Sequence, residues 1–151
     1  MANTSAMCTS FKAEILSGIH ALGTTVIRAG TGADTIKAAL YLASATVNAA
    51  TTAYSATGEV SGTGYTAGGI TATNATAPTS SGTTAYWTPS ASFTYTAVTL
   101  TTSFDCVLVY NSTQSNKAIS AHTFGAQTIT AGTFVLSMPT NDSTNALTRI
   151  A

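Results

Sequence analysis

Cys106-Val107-Leu108-Val109-Tyr110 is an unbroken apolar run with no charged residue. Successive side chains of a strand point to opposite faces of the sheet, so an unbroken apolar run indicates a strand that is buried on both faces. We therefore predict a central strand over Asp105 to Asn111. The preceding stretch, Phe93 to Val98, alternates instead, with aromatic residues on one face and threonines on the other. This alternation is typical of a half-buried strand.

Similar short segments recur along the chain and are separated by clusters of Gly, Pro, Asn and Ser, at the spacing of a β-sandwich. The predicted strands are Thr35 to Ala43, Ile70 to Thr76, Thr83 to Thr88, Phe93 to Leu100, Asp105 to Asn111, Lys117 to Phe124, Thr133 to Met138 and Leu147 to Ile150. The turn-rich stretch from Thr46 to Gly69 is predicted to be a long ordered loop, anchored by Val60 and Tyr65.

One segment near the N-terminus has the period of a helix. Its apolar residues recur about every 3.6 positions, which predicts a helix from Ser10 to Leu22, capped by Thr9 or Ser10 and stopped by Gly23. The predicted fold is therefore mostly β, an antiparallel β-sandwich with jelly-roll-like connections and one N-terminal α-helix. We expect a single domain over residues 1–151, with an arm and helix in 1–22 and the sandwich in 34–151.

Charge is the unusual feature of the composition. Charged residues make up 7% of the 151 positions, against about 25% in an ordinary domain, and the formal net charge is zero. The five basic residues are scattered singly, which argues against nucleic acid as a partner. The first residues lack a basic segment, and no apolar run approaches the roughly 18 residues of a membrane span, so we predict no secretory signal and no membrane partner.

No motif for catalysis or metal binding is present. Cys8 and Cys106 are predicted to be reduced and to pack as small hydrophobic residues. His20 and His122 do not cluster with other ligands and are predicted to be ordinary surface or interface residues. The sequence therefore predicts a protein that is not an enzyme and has no cofactor. A carboxylate pair made by the fold, through Asp105 or Glu59, stays open as an alternative.

Association is what the composition favours. A surface with little charge does not hold copies of a protein apart, so we expect a homo-oligomer or another assembly. The helix stripe, the glycine-rich loop and the aromatic residues near the loops are the places where a partner would bind, although the aromatic residues could also be plugs that close the sandwich. The candidate interface residues are Phe11, Ile15, Ile19, Val60, Tyr65, Tyr86 and Trp87.

Several segments resemble a family of small virion proteins of tailed bacteriophages. They are Met1 to Lys12, Ile36 to Tyr41, Thr52 to Tyr65 and Asn145 to Ile150, of which Glu59-Val60-Ser61-Gly62-Thr63-Gly64-Tyr65 is the most specific. The resemblance spans nearly the whole chain. It implies a structural protein of the virion, and it brings no catalytic residues with it.

The resemblance and the composition together predict a capsid cement or decoration protein. Such a protein would be made in the host cytoplasm and would bind the capsid exterior between major capsid protein subunits, as an oligomer that is plausibly a trimer. The alternative is a tail or fibre component that binds a host glycan or another tail protein. An enzyme that degrades the cell wall is a third hypothesis, and it needs the carboxylate pair mentioned above.

Overall fold

The computed structural model describes residues 3–16, 18–20, 22, 32–73 and 76–151. In these residues the chain is mostly β, as predicted, with antiparallel strand pairs and one short helix. The elements are β1 (Ala6–Met7), α1 (Thr9–Leu16), β2 (Ile36–Leu42), β3 (Ile70–Thr71), β4 (Thr79–Ser81), β5 (Thr84–Trp87), β6 (Phe93–Asn111), β7 (Lys117–Leu136) and β8 (Thr148–Ile150).

The hairpin of β6 and β7 is the largest unit of the fold. The two strands pair antiparallel from Asn111 opposite Lys117, next to the turn, out to Phe93 opposite Leu136. The predicted division of each of them into two strands is wrong. The segment that was expected to interrupt β6, Thr101-Thr102-Ser103-Phe104, contains no Gly or Pro, and β-branched threonine fits a strand. The chain therefore continues through it.

The apolar run at residues 106–110 is the central strand, as predicted. The larger sheet has the order β1-β7-β6-β2-β3, so β6 lies in its middle, between β7 and β2. All five residues of the run are buried, at 0–2% exposure. Strand β2 is also covered on both faces, because Ala39 and Tyr41 are buried as well as Ile36, Ala38 and Leu40.

The hairpin bends sharply in its middle. Phe124 and Phe134 are ten residues apart in β7, which is roughly 33 Å in a straight strand, yet their ring centroids are 5.2 Å apart. The pairing register shifts repeatedly between Tyr95 and Cys106, and Ala97 and Ala131 have positive φ angles of 52° and 47°. Such bulges bend a strand. The outer half of the hairpin thus folds back over the inner half in a sandwich-like arrangement.

The second sheet is small and has the order β4-β5-β8. It is anchored by Trp87, which is 1% exposed and donates a hydrogen bond from Nε1 to the carbonyl oxygen of Thr76. A jelly roll would have two four-stranded sheets. The five-plus-three division and the long hairpin replace the predicted jelly-roll connections.

The helix is shorter than predicted and ends at Leu16 instead of Leu22. Gly18 has a φ of 66°, its N–H donates to the carbonyl of Ile15, and the N–H of Ile19 donates to the carbonyl of Glu14. This pair of bonds is a Schellman motif, in which a left-handed glycine ends the helix. The predicted stop at Gly23 lies outside the described residues. Ile19 and Leu22 therefore follow the helix and do not extend its stripe.

The stretch from Thr46 to Gly69 contains no helix or strand, as predicted, and isolated bridges hold it against the sheet. Thr63 pairs with Thr99 of β6, and Glu59 pairs with Tyr41 of β2. Glycines make this close approach possible. A Cβ at Gly62 would overlap the carbonyl oxygen of Thr99, and one at Gly69 would overlap that of Ala38.

Replacing Gly69 with Ala tests this packing. Gly69 and Gly82 both have positive φ angles, 69° and 59°, but a Cβ at Gly82 meets no atom within 4 Å. The free energy of unfolding of Gly82→Ala should therefore fall only by the conformational cost of a side chain at positive φ, about 1–2 kcal/mol. The free energy of unfolding of Gly69→Ala should fall clearly more, because the backbone of β2 must also move. Urea denaturation of both variants measures the difference, and equal losses would contradict the close approach.

Candidate functional site

The glycine-rich loop is organised around one carboxylate. Two backbone bonds fix the position of Glu59 beside β2: the N–H of Leu42 donates to the carbonyl of Gly58, and the N–H of Val60 donates to that of Leu40. The side chain of Glu59 then receives three hydrogen bonds. Its donors are the hydroxyl of Tyr54 at 2.6 Å, the hydroxyl of Tyr65 at 2.7 Å and the N–H of Gly68 at 2.7 Å.

Five of the six tyrosines surround this carboxylate and form what we call the tyrosine cluster. Its members are Tyr41, Tyr54, Tyr65, Tyr95 and Tyr110. Two pairs of rings stack across the boundary between loop and sheet: Tyr54 on Tyr110 at 4.8 Å, and Tyr65 on Tyr95 at 6.0 Å. Each pair joins one ring from the loop to one ring from β6.

The hydroxyl groups of the cluster also bind backbone. Tyr110 donates to the carbonyl of Gly68, Tyr95 donates to that of Ala38, and Tyr41 donates to that of Ser55. The hydroxyl of Tyr65 accepts a bond from the N–H of Leu40 while it donates to Glu59. The cluster thus satisfies backbone groups of the irregular loop, at Ser55 and Gly68, and of β2, at Ala38 and Leu40.

Burial keeps the cluster protonated. It raises the pKa of Tyr41 and of Tyr110 to about 12, and the nearby charge of Glu59 adds to the increase in both. Burial, together with Glu59, also raises the pKa of Tyr54, Tyr65 and Tyr95 well above the ordinary value of 10.0. The hydroxyls are therefore hydrogen-bond donors and not bases at neutral pH.

Two substitutions of Glu59 should show separately how much its charge and its hydrogen bonds contribute to stability. In Glu59→Gln, the amide oxygen can accept from Tyr65 and Gly68 while the amide NH₂ donates to the Tyr54 hydroxyl, so most of the geometry survives. Glu59→Ala leaves all three donors without an acceptor, and we expect a loss of about 2–3 kcal/mol. Urea denaturation and limited proteolysis within residues 46–69 measure both variants. A loss in Glu59→Gln as large as in Glu59→Ala would contradict the arrangement.

A second polar network joins the N-terminal segment to the sheet. The two carboxylate oxygens of Glu14 bind different partners, the ammonium of Lys117 at 2.6 Å and Nε2 of His20 at 2.7 Å. His20 Nδ1 lies 3.1 Å from the side-chain nitrogen of Asn111, which also donates to Asp34 at 2.8 Å. These bonds fit a neutral His20 with its proton on Nε2, because an amide NH₂ can only donate.

Burial sets the protonation of this network. The His20 side chain is 0% exposed, and burial lowers its pKa although Glu14 acts in the opposite direction. Burial alone would raise the pKa of Glu14, but the hydrogen bonds from Lys117 and His20 outweigh it and hold that pKa low. Burial also lowers the pKa of His122 to about 4. The His20 side chain thus lies in the interior, so it is not a surface histidine as predicted. His122 is half-buried and lines an open cleft, and its predicted role at a surface or interface stays a prediction.

The free energy of unfolding should fall both at low pH and at high pH. A histidine whose pKa is lowered in the fold stabilises it above pH 6.5, and this contribution is lost as the pH falls through the folded value, about 4 for His122. The pKa values of the tyrosine cluster and of the two cysteines are raised, so their contribution to stability is complete below pH 9; that of Tyr41 and Cys106 is lost as the pH rises to about 12. Denaturation midpoints should form a plateau at pH 7–9. Constant stability from pH 4 to 12 would contradict this.

The predicted interface residues fall into different environments. Phe11, Val60 and Trp87 are buried at 0%, 4% and 1% exposure, so their side chains belong to the core of a single chain. Ile15 and Tyr86 are half-buried and, with Trp87, line an apolar cavity of about 220 Å³. This cavity brings together the N-terminal segment and the small sheet, as the sequence could not show.

The remaining two candidates lie elsewhere. Ile19 is half-buried directly after the Schellman motif. Tyr65 is half-buried in the tyrosine cluster, and it lines a second cavity of about 220 Å³ with Gly64, Thr94 and Thr96. The role predicted for the Glu59 side chain was that of one acid in a catalytic pair, and its structural role was not predicted. The sequence contained an indication of this role. In a chain with few basic residues, a carboxylate near several tyrosines has few donors other than their hydroxyl groups.

The other reactive groups are occupied in holding the chain together. Cys8 and Cys106 are buried and free, as predicted, and burial raises their pKa values to about 11 and 12. Asp105 accepts a bond from the side chain of Asn3 at 2.6 Å. Asp142 binds two backbone N–H groups of the following turn, including that of Asn145 at 2.7 Å. Each of the five carboxylates thus has hydrogen-bond donors of its own.

A larger open cleft, about 590 Å³ in volume, lies between β1 and β7 on one side and β8 on the other. It contains His122, Arg149 and several hydroxyl side chains, but no Asp or Glu side chain lines it. Within the described ranges, no group of three His, Cys, Asp or Glu residues is arranged to hold a metal ion. In the same residues, no helix has the length and apolar character needed to cross a membrane.

Comparison with protein-family models, with curated proteins and with solved structures found no match.

Proposed function

We propose that the protein is a structural component of a tailed-bacteriophage virion, a cement or decoration protein that binds the capsid exterior between major capsid protein subunits. The proposal combines the sequence resemblance with one observation on the fold. Among the charged residues whose side chains are described, only Arg149 is exposed, and the others are buried or half-buried. The exposed surface is therefore formed mainly by uncharged residues.

The placement of the charges supports an assembling protein. Soluble monomers usually carry interspersed charges on their surface, which oppose association. Here Glu14 and Asp34 are buried in the N-terminal network, and Glu59 is bound by the tyrosine cluster. These three carboxylates thus hold the chain together internally, and the exposed Thr, Ser and Ala residues can approach a partner without desolvating an ion.

The state of the carboxylates supports a role without catalysis. General acid–base chemistry needs a carboxyl group that can reach a substrate and exchange a proton at working pH. Glu14 has its pKa held low by its partners, and Asp142 has its pKa lowered by hydrogen bonds from Asn145 and Thr144. A cement protein needs none of this, because many weak identical contacts on a lattice add up through multivalency.

Imaging and quantitative mass spectrometry of purified virions test the proposal. A cement protein should be present in hundreds of copies, in a fixed ratio to the major capsid protein, and should give density on the outside of the head. Absence from the particle would overturn virion membership. Presence in only a few copies would overturn the cement role and favour the tail.

The tail or fibre alternative draws support from the apolar cavity beside the small sheet. Tyr86 is half-buried at its rim and could contact a glycan or a partner side chain. Trp87 is less suited to such a contact, because it is 1% exposed and its indole nitrogen already donates a hydrogen bond to Thr76. A glycan-binding tail protein would lose host attachment in Tyr86→Ala, whereas a cement protein would not.

A further inference from the structure

Strand β7 has an open edge over its outer half. Strand β1 pairs with it only at Ser120 and Ala121, and the Ser5 hydroxyl then accepts a bond from the N–H of Thr123. Beyond this point, no strand in the described part of the chain pairs with β7 on the side away from β6. Among the described residues, the backbone groups that point outward from residues 132–136 thus have no strand partner.

Residues 134–136 of this open segment are also the regular part of the outer hairpin, and residues 132 and 133 lie beside the first register shift of its pairing. Phe93, Thr94 and Tyr95 pair in unbroken register with Leu136, Val135 and Phe134, whereas bulges interrupt the pairing between Tyr95 and Cys106. Bulges twist an edge away from a potential partner, and a regular ladder presents it.

The same segment lacks the other features that protect edge strands. Lys, inward-pointing charges and Pro normally prevent edges from pairing. Residues 118–141 contain no Asp, Glu, Lys or Arg, and their only proline, Pro139, lies beyond the end of β7. Val135 instead points outward with 49% of its surface exposed, the largest value among the large hydrophobic residues described.

We propose that residues 132–136 of β7 pair antiparallel with the same residues of a second copy of this chain, which rests on the assembling role proposed above. The two outer hairpins then form one four-stranded sheet across a two-fold axis at Phe134. This places Thr133 of each copy directly opposite Val135 of the other.

A second copy fits this edge for three reasons. An antiparallel pair of identical strands has two-fold symmetry, the commonest symmetry of homo-oligomers. Neither copy carries a charge in the segment, so no like charges are brought together. Thr133 and Val135 are β-branched, and such cross-strand pairs stabilise a sheet. The half-buried Phe134 rings meet near the axis, beside the aromatic cluster that each forms with Phe104.

Sedimentation analysis of the full chain tests the contact, with Val135→Lys as the variant. We expect the wild type to be a dimer and Val135→Lys to have half that mass, because it places an ammonium on each side of the axis. Ile150→Lys is the matched control, since Ile150 is 43% exposed but belongs to the small sheet, and it should stay dimeric. A monomeric wild type, a trimer, or a dimer that survives Val135→Lys would overturn the proposal.

Cysteine cross-linking tests the register independently. The double variant Thr133→Cys/Val135→Cys places thiols opposite each other across the axis and should give a covalent dimer on oxidation. Each single variant places a thiol opposite Thr or Val and should not. Absence of the covalent dimer in the double variant, or equal yields in the single variants, would overturn the register. Neither experiment depends on the virion, so a failure here is distinct from a failure of the cement role.

Discussion

The bend of the β6–β7 hairpin is the constraint on which the rest of the structure depends. Because the two strands pair along their whole length, their outer half would be a two-stranded ribbon with little apolar contact if it stayed straight, and such a ribbon is marginal in water. Bulges and the two alanines with positive φ angles bring the outer half back over the inner half. Phe104, Phe124 and Phe134 then share one cluster, and the long hairpin covers its own apolar face.

The bend also explains why the loop between β2 and β3 is needed. Strand β2 pairs with β6 only from residue 104 to 111, so in the described part of the chain no strand pairs with the far side of β6 beyond the bend. The loop fills that place without becoming a strand, since Thr63 bridges to Thr99 and glycines allow the backbones to approach. Glu59 and the tyrosine cluster form hydrogen bonds with backbone groups of this irregular loop that are not paired with a neighbouring strand. A chain with five acids thus uses one of them to hold a loop.

The fold class was predictable from the sequence, and the strand boundaries were not. Apolar runs and alternation report whether a residue faces a core, and this identified residues 106–110 and the overall β content correctly. They do not report whether a strand continues through a bend, and so β6 and β7 were each divided. The helix boundary was wrong for a related reason. Ile19 and Leu22 keep the helical period and half-bury their side chains, yet they lie beyond a glycine in the left-handed conformation.

The sequence by itself determined the class of the fold, the free cysteines and the scarcity of charge, because these follow from composition and from local periodicity. The tertiary structure alone decided where the charges are. Residues far apart in the chain meet in both polar networks, as Glu14 does with Lys117, and no local pattern encodes such contacts. The same holds for the candidate interface residues. Phe11, Val60 and Trp87 are buried and Val135 is exposed, and no local pattern of the sequence distinguishes the two environments.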